Sequence, residues 1–267
     1  MKKKFKLGII GCGFMASAII NGAIKSKVLT NEQIIVSDIS QQSLDKLSNL
    51  NINTTLDNIE VVDNSEFVLF AIKPQGLSLV LEQIKGTNPE KIISIMAGVK
   101  KQKIKTAFPK TKIARCMPNT PCSIGYGAAG LDVSEYDGDD KAFIINILSS
   151  FAKVVLVDED KLNAVIGVSG SSPAYFYLFL KYVIENGVKN GLNYEDAKSL
   201  AVSTMIGAGK MVENNLDVSL DNLINAVCSK GGTTIEAINV FKNDGLDVIT
   251  ERAIDACVKR AEELENL

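Results

Sequence analysis

The stretch LGIIGCGFMA at residues 7–16 decides the fold of the N-terminal half of this chain. Its first part has the apolar composition of a buried strand, and the pattern from Phe14 to Lys25 is that of a helix. Between them, Gly11 permits a tight turn, Gly13 lets a pyrophosphate approach the backbone, and Ala16 lets helix and strand pack closely. The alternative is a glycine turn that binds nothing. The flanking strand and helix favour a dinucleotide-binding turn.

Strands and helices alternate through the first half of the chain. Short apolar runs suited to strands buried on both faces are separated by helical patterns. This alternation predicts an α/β fold with a doubly wound parallel sheet. The predicted strands are residues 6–10, 34–37, 67–72, 92–96, 112–117 and 154–157, and the predicted helices are residues 14–25, 41–50, 77–83, 101–108 and 139–151.

The pattern changes after Asp158, because helices are predicted from there to the C-terminus without another convincing strand. We therefore predict a dinucleotide-binding domain over residues 1–158 and an all-α domain over residues 159–267, joined by a helix that starts near Lys161. The helix from Pro173 to about Asn186 is apolar on nearly every side and must be buried. A subunit interface would bury it; the alternative is the central helix of a monomeric bundle.

Composition excludes several classes of protein. The 267 residues are 46% hydrophobic and 22% charged, with a net charge of -2, which fits a globular protein without the basic footprint of a nucleic-acid binder. No run reaches the ~18 apolar residues of a membrane span. Five scattered cysteines indicate reduced thiols in a cytoplasm, and the absence of histidine argues against a metal site. Catalysis must also proceed without the commonest general acid or base.

The run SKGGTT at residues 229–234 precedes a predicted helix from Ile235 to Phe241. Glycines let backbone N–H groups turn toward one point, and the helix N-terminus adds the positive end of its dipole. The run therefore predicts a clamp for a small anion.

An acidic residue, Asp38, ends the second predicted strand. There it would accept hydrogen bonds from the adenosine ribose hydroxyls and repel a 2′-phosphate, and residues 39–42 offer no arginine to capture one. This favours NADH over NADPH. The alternatives are a solvated turn residue or the cap of the helix near Gln41.

Three further segments lie directly after predicted strands, at the sheet edge where open α/β sheets bind ligands. Lys73 would contact ribose or phosphate oxygens, or the Lys-Pro pair is a simple surface loop. Ala97 and Gly98 leave room for a flat ring. Two prolines frame Asn119 and would hold its amide against cofactor or substrate, or the segment is a rigid connector in which Asn119 caps a turn.

Six motifs, in this order, resemble those of the Δ1-pyrroline-5-carboxylate reductase family and cover nearly the whole chain. They are GxGxMA at 11–16, AIKPQ at 71–75, SxxAGV at 94–99, RxMPNxP at 115–121, SGSxPAY at 169–175 and SxGGTT at 229–234. Two residues depart from the pattern: Ser172 stands where many members have glycine, and Lys230 where many have proline.

The resemblance implies a Rossmann N-terminal domain and a helical C-terminal domain that interlocks with a second subunit, giving a homodimer and, in many members, a larger ring such as a decamer. It implies hydride transfer from NADPH or NADH to the C=N carbon of a cyclic imine, giving L-proline, without a metal. By the family's pattern, Thr234 is the catalytic residue, with its hydroxyl near the ring nitrogen.

The resemblance also implies a set of site residues. Ser229 and the backbone of Gly232 and Thr233 would hold the substrate carboxylate, and Ala97 and Gly98 would flank the nicotinamide. Substrate binding is predicted for Ser229, Gly231, Gly232, Thr233 and Thr234, and cofactor binding for Gly11, Gly13, Phe14, Met15, Ala16, Asp38, Ala71, Lys73, Pro74, Ala97, Gly98 and Asn119.

Two other functions compete with this one. A β-hydroxyacid dehydrogenase resembles G-x-x-x-G-x-x-x-K, but here the segment from Gly187 to Gly191 is followed by Glu195 in place of the lysine. A non-catalytic family member that only binds nicotinamide is the second alternative. The intact glycines at 11, 13, 231 and 232 argue against it.

Overall fold

The computed structural model describes residues 3–265. Eight strands form one sheet in the order β3-β2-β1-β4-β5-β6-β7-β8, and neighbouring strands are parallel except for the antiparallel pair of β6 and β7. The strands are β1 (Phe5–Ile10), β2 (Ile34–Ser37), β3 (Asn53–Thr55), β4 (Ser65–Phe70), β5 (Lys91–Ser94), β6 (Lys112–Pro118), β7 (Gly127–Asp132) and β8 (Ala152–Leu156).

Helices connect most of the strands and predominate from Leu162 to Glu265. Those up to Val165 are α1 (Phe14–Lys25), α2 (Gln41–Asp45), α3 (Asn58–Asn64), α4 (Leu77–Gln83), α5 (Lys101–Lys105), α6 (Gly138–Ser149) and α7 (Leu162–Val165). A π-helical turn at Ile166–Gly170 precedes α8 (Ser172–Lys189), α9 (Tyr194–Asn214), α10 (Leu220–Val227), α11 (Thr233–Asn243) and α12 (Leu246–Glu265).

The sheet is buried on both faces, as its apolar strands predict. Along β4, Phe67 and Leu69 belong to one core cluster, and Val68 and Phe70 belong to the cluster on the other face. The order of the first six strands is that of the dinucleotide-binding Rossmann fold. The predicted α/β fold class is confirmed.

Three elements were not predicted from the sequence: β3, α3 and β7. The sequence of β7 is GAAGLD, whose small residues have low strand propensity and look like a loop. The edge strand β3 has only three residues, all polar. Helices α2 and α5 are shorter than predicted, at five residues each.

The chain groups into two compact units: Met1–Pro173 with Cys257–Leu267, and Ala174–Ala256. This division differs from the predicted boundary at Asp158, because α7 and the π-helical turn pack on the sheet. A Cβ atom on Gly130 of β7 would lie 2.7 Å from Val165 of α7. Helical periodicity alone does not reveal that packing.

Within the second unit, α8 and α9 leave an apolar groove of about 760 Å³ between them. The exposed aromatic residues Phe176 and Phe179 of α8 line one side of this groove, and Leu200 of α9 lines the other. The apolar face of α8 therefore stays exposed in a single chain, which agrees with the prediction that a subunit interface buries it. Across residues 3–265, no helix combines the length and the apolar content that crossing a bilayer requires.

Candidate active site

The turn between β1 and α1 has the geometry that the glycine pattern predicts. Gly11 has a φ of 100°, and a Cβ atom on it would lie 2.7 Å from the carbonyl oxygen of Ala71. Glycine is therefore required at this position. Gly13 is the N-cap of α1, and nothing lies within 4 Å of where its Cβ atom would be. The backbone is open to a ligand there.

The first turn of α1 is suited to an anion. No side chain caps it, and no acidic residue lies in it. Its unpaired backbone N–H groups and the positive end of the helix dipole favour a phosphate. Ala16 is fully buried and Met15 packs partly on the core, whereas Phe14 is 62% exposed. Phe14 therefore faces solvent, and the other two residues fix the helix on the sheet.

Asp38 lies beside this glycine turn. Its Oδ2 accepts a hydrogen bond from the backbone N–H of Cys12 at 2.7 Å, and its Oδ1 accepts one from the N–H of Ser40 at 2.8 Å. The cap of α2 is the Ser40 hydroxyl, which accepts the N–H of Ser43. Burial raises the pKa of the Cys12 thiol, and the Asp38 carboxylate raises it further. Cys12 therefore stays protonated at neutral pH.

A cleft of about 550 Å³ lies beyond the carboxyl ends of β1 and β4, where the winding direction of the sheet reverses. Five of the predicted cofactor residues line it: Gly11, Gly13, Asp38, Ala71 and Lys73. The exposed Lys73 adds a positive charge near the helix N-terminus. The cleft therefore offers donors for phosphate and, at Asp38, an acceptor for hydroxyl groups. Pro74 is exposed and begins a short 3-10 helix, Pro74–Gly76.

Asn58 and Gln83 are polar residues of this cleft that were not predicted from the sequence. Ser37 donates to Asn58 Oδ1 at 2.6 Å, and Asn58 Nδ2 donates to Gln83 Oε1 at 2.6 Å. Asn58 begins α3, a helix that was not predicted from the sequence, and its place at the sheet edge was therefore not predicted either. Asp57, the N-cap of that helix, was the available signal.

Ala97 and Gly98 come after β5, the neighbour of β4. The N–H of Ile95 donates to the carbonyl of Phe70 at 3.2 Å, so the turns that follow β4 and β5 lie side by side. Gly98 is buried with a φ of 66°, and Ala97 is exposed. They lie at the same carboxyl edge of the sheet as the cleft without being among the residues that line it.

Asn119 is buried, and its side chain bonds within the protein. Its Oδ1 accepts the N–H of Ala128 at 2.9 Å, and its Nδ2 donates to the carbonyl of Ser169 at 3.1 Å. These bonds join the loop after β6 to β7 and to the π-helical turn. The geometry resembles the connector alternative, and Asn119 is not among the residues that line the glycine-turn cleft.

In the second unit, the SKGGTT run has the form of an open anion clamp. Gly231 has a φ of 70°, and Gly232 is the N-cap of α11 without a side-chain cap. Helix α11 begins at Thr233, two residues before the predicted start, so Thr233 and Thr234 both lie in its first turn. A Cβ atom on Gly232 would lie 2.3 Å from the Ser229 hydroxyl oxygen. The hydroxyl and the helix N-terminus therefore lie together.

Two buried cysteines in the segment around Asn119, Cys116 and Cys122, carry unreactive thiols. Burial raises the pKa of Cys122, as it does that of Cys116, so both thiols stay protonated. Within the part of the chain that the structure describes, no group of three or more Cys, Asp or Glu side chains is placed to hold a metal ion.

Two family models match the chain. Residues 6–98 match the NADP oxidoreductase, coenzyme F420-dependent model, and residues 159–264 match the pyrroline-5-carboxylate reductase dimerisation model. The first places the glycine turn and the β1–β4 cleft in a class of nicotinamide-dependent oxidoreductases. The second contains the α8–α9 groove and the SKGGTT run, and it supports the predicted homodimer.

Individual relatives match over nearly their whole length. The pyrroline-5-carboxylate reductase of Haemophilus influenzae is 36% identical over 266 residues, 98% of each protein. A solved pyrroline-5-carboxylate reductase from Coxiella burnetii has a TM-score of 0.90 at 33% identity, covering 98% of this chain and 99% of that one. The Plasmodium falciparum pyrroline carboxylate reductase, solved with NADP bound, has a TM-score of 0.87 at 27% identity, covering 99% and 100%.

This chain belongs to the pyrroline-5-carboxylate reductase family. The family and the two-domain architecture of Rossmann sheet and helical region predicted from the sequence are confirmed. The predicted reductase activity is confirmed as well.

Proposed function

We propose that this chain reduces Δ1-pyrroline-5-carboxylate to L-proline with a hydride from NADH or NADPH, the last step of proline biosynthesis, in the cytoplasm. One observation carries the proposal. Two glycine-capped helix N-termini, those of α1 and α11, lack side-chain caps and stand open to anions. A nicotinamide dinucleotide and a carboxylate-bearing imine are the two anionic reactants that the reaction requires.

The cofactor would lie in the cleft between β1 and β4. Its pyrophosphate fits the open backbone at Gly13, and its adenosine ribose fits the Asp38 carboxylate. Lys73 would pair with phosphate or ribose oxygens. When bound, the nicotinamide supplies the hydride, and the turn at Ala97 and Gly98 would orient its ring.

The substrate carboxylate would bind at α11. The N–H of Thr233 and the Ser229 hydroxyl are the donors at the helix N-terminus, whereas the N–H of Gly232 already donates to the carbonyl of Ser229 at 3.0 Å and closes the turn. The Thr234 hydroxyl, in the same first turn, would lie near the ring nitrogen, where it can give a proton to a neutral imine. Holding the carboxylate fixes one end of a small rigid ring, which leaves its C=N carbon in a defined place.

This arrangement accounts for a site without histidine. A protonated imine accepts hydride readily: the two electrons of the hydride form the new C–H bond, the C=N π pair moves to nitrogen, and the nitrogen keeps its proton. No strong side-chain base is needed, since the imine arrives protonated or takes a proton from a hydroxyl or water. The contribution of the protein is alignment of donor and acceptor carbons.

For the cofactor, we propose a preference for NADH, supported by Asp38. Each of its oxygens already accepts one backbone N–H, and each keeps a second lone pair for a ribose hydroxyl. A 2′-phosphate there would meet a negative charge. The Plasmodium relative was solved with NADP, so the preference must be measured in this chain.

The homodimer would form through the α8–α9 groove, whose apolar lining is what an obligate interface requires. Larger rings of dimers, as the family resemblance implies, are part of the same proposal. Sedimentation would distinguish a dimer from a decamer.

Steady-state oxidation of NADH and of NADPH with pyrroline-5-carboxylate tests the function and the cofactor preference together. We expect turnover with both cofactors and a higher kcat/KM with NADH. A preference for NADPH of about tenfold, ~1.4 kcal/mol of transition-state binding, would refute the argument from Asp38. Binding of both cofactors without turnover would indicate the non-catalytic alternative.

A further inference from the structure

The last turn of α12 is joined to the sheet by a buried cluster of charges. Arg115 of β6 donates from Nη2 to Glu265 Oε1 at 2.9 Å, and both side chains are less than 5% exposed. Asn163 Nδ2 donates to Glu265 Oε2 at 3.0 Å, and Lys100 Nζ lies 3.2 Å from the same oxygen. One carboxylate therefore connects α12, β6, α7 and the segment after β5.

The residue before Glu265 covers the turn at Gly98. A Cβ atom placed on Gly98 would lie 3.1 Å from the Cβ atom of Leu264. Since Gly98 has a φ of 66°, the turn needs glycine for its backbone conformation, and Leu264 packs directly on it. The end of α12 thus lies on the loop between β5 and α5.

The same loop is held at its far end. The backbone N–H of Lys101 donates to Glu159 Oε1 at 2.7 Å, and that oxygen lies 3.4 Å from Nη1 of Arg115. Three contacts therefore fix residues 98–101. Leu264 packs on Gly98, and the Lys100 ammonium pairs with Glu265. The backbone N–H of Lys101 donates to Glu159. Arg115 is the cation shared by both carboxylates.

Stability alone is a poor reason for this cluster. Burying an ion pair costs about as much desolvation as its attraction returns, and apolar replacements are often as stable. Burial raises the pKa of the Glu265 carboxyl, but hydrogen bonds from Asn163 and Arg115 and the Lys100 ammonium outweigh it and hold the pKa below its ordinary value. The Glu265 carboxylate therefore stays charged and keeps its partners in place, which suits a cluster whose purpose is to hold the loop of residues 98–101 in one conformation.

We propose that Glu265 is a positioning residue for hydride transfer, acting through Leu264 and Lys100 on the turn of residues 97–101. The inference rests on the proposed function, in which Ala97 and Gly98 flank the nicotinamide. Loss of the Glu265 carboxylate frees the turn and leaves the pyrophosphate and ribose contacts at Gly13 and Asp38 intact. Hydride transfer therefore slows more than cofactor binding weakens.

The test compares Glu265→Ala and Glu265→Gln with Glu263→Gln, a control one residue before Leu264 whose carboxylate makes an exposed pair with Arg260. Each full-length protein is assayed with pyrroline-5-carboxylate for kcat, for the NADH dissociation constant by fluorescence, and for the isotope effect of 4-deuterated NADH. We expect Glu265→Ala to lower kcat roughly tenfold and to raise the isotope effect, because the donor ring is misaligned. The dissociation constant should stay within about twofold.

Several results would overturn the inference. One is a kcat for Glu265→Ala equal to that of Glu263→Gln, and another is a loss of NADH affinity as large as the loss of kcat. If Glu265→Ala does not fold, Lys100→Ala decides, since it removes the exposed ammonium that pairs with Glu265 Oε2 and keeps Arg115 and Asn163 on the carboxylate. An unchanged kcat would then refute the inference. An inactive wild-type protein would refute the proposed function and with it this role for Glu265, whereas an active wild type with unaffected variants refutes this role alone.

Discussion

The N-termini of α1 and α11 share the same local structure. Each begins at a glycine N-cap without a side-chain cap. The turn before α1 is enclosed: the backbone of Gly11 packs against that of Ala71, and the N–H of Cys12 donates a hydrogen bond to Asp38. The turn before α11 is exposed, and nothing lies within 4 Å of where a Cβ atom on Gly231 would be.

This difference separates two ways of preparing a site for an anion. At α1, the surrounding sheet fixes the backbone at Gly11 before any ligand arrives, so a change at Gly11 disturbs folding and binding together, whereas Gly13 faces open space. At α11, only the turn itself fixes the donors, so a change there acts on the ligand and leaves the fold alone. Substitutions in the two turns should therefore differ in kind.

The largest effect is expected for Gly11→Ala. It combines an unfavourable φ with a clash against a backbone carbonyl, so we expect a loss of about 3 kcal/mol or more in the free energy of unfolding. NADH binding should be lost with it. Urea unfolding and NADH fluorescence measure the two quantities.

Gly125→Ala is the matched control, because Gly125 also has a positive φ, of 76°, but has open space around it. It should cost about 1 kcal/mol and leave NADH affinity unchanged. Equal losses in the two variants would show that φ alone matters and that the enclosure of the first turn does not.

The charges of the two units should respond differently to acid. In the first unit, Asp132 Oδ2 lies 2.7 Å from Lys101 Nζ with only 2% of its side chain exposed. Burial raises the pKa of Asp132, but hydrogen bonds from Lys101 and Ser134 outweigh it and hold the pKa below its ordinary value. The pair then stabilises the fold above the ordinary carboxyl pKa of about 4, and this contribution is lost as pH falls through the lowered value.

Asp132→Asn should therefore lower stability by about 2 kcal/mol at neutral pH and by progressively less below pH ~4. Glu185→Gln, which removes an exposed pair with Lys181 in the second unit, should leave stability nearly unchanged at any pH, because solvent screens the pair. Urea unfolding from pH 7 to pH 3 measures both. A pH-independent loss in Asp132→Asn would contradict the assignment of the effect to ionisation.

Gly13→Ala and Gly232→Ala should each weaken one ligand and spare the other. A methyl group on Gly13 meets no protein atom and would project into the space proposed for pyrophosphate, whereas one on Gly232 displaces the Ser229 hydroxyl. We expect the NADH dissociation constant to rise roughly ten- to hundredfold in Gly13→Ala, and the KM for pyrroline-5-carboxylate to rise comparably in Gly232→Ala. Thermal unfolding should be nearly unchanged in both. A substrate KM raised by Gly13→Ala would contradict the division of roles.

Thr234→Ala should have the smallest effect. Removing the hydroxyl is expected to lower kcat about tenfold, since the imine can take its proton elsewhere. Thr234→Ser should restore most of the rate. A complete loss of turnover in a folded variant that still binds NADH would instead make Thr234 an obligatory acid.

The sequence predicted the parts of the fold with strong periodicity. Helix α1 and helix α4 begin and end at the predicted residues, and β2 does too. The Gly-Ala strand β7 and the polar strand β3 lack the apolar, β-branched composition by which strands are recognised. Their places are set by neighbouring strands, which a single sequence does not reveal.

Within the candidate site, the sequence predicted the positions at which the backbone requires glycine and the position of the acidic residue after β2. Gly11, Gly13 and Gly231 show the expected open or left-handed backbone, and Asp38 lines the predicted cleft. Asn58 and Glu265 were missed because their positions depend on long-range packing. The hydrogen bonds of Asn119 were not foreseen for the same reason, and its proposed contact with the cofactor stays a prediction.

The return of α12 to the first unit has a consequence for folding order. Arg115 and Glu265 are 150 residues apart, and all of Ala174–Ala256 lies between them in the chain. During synthesis, Arg115 must wait for that whole segment before its carboxylate partner emerges from the ribosome. Closing so long a loop carries an entropic cost and slows folding. The strands of the sheet are synthesised first, and the charge cluster on β6 is completed last. The helical segment therefore has the opportunity to fold, and to meet a second chain, before the Rossmann unit is finished.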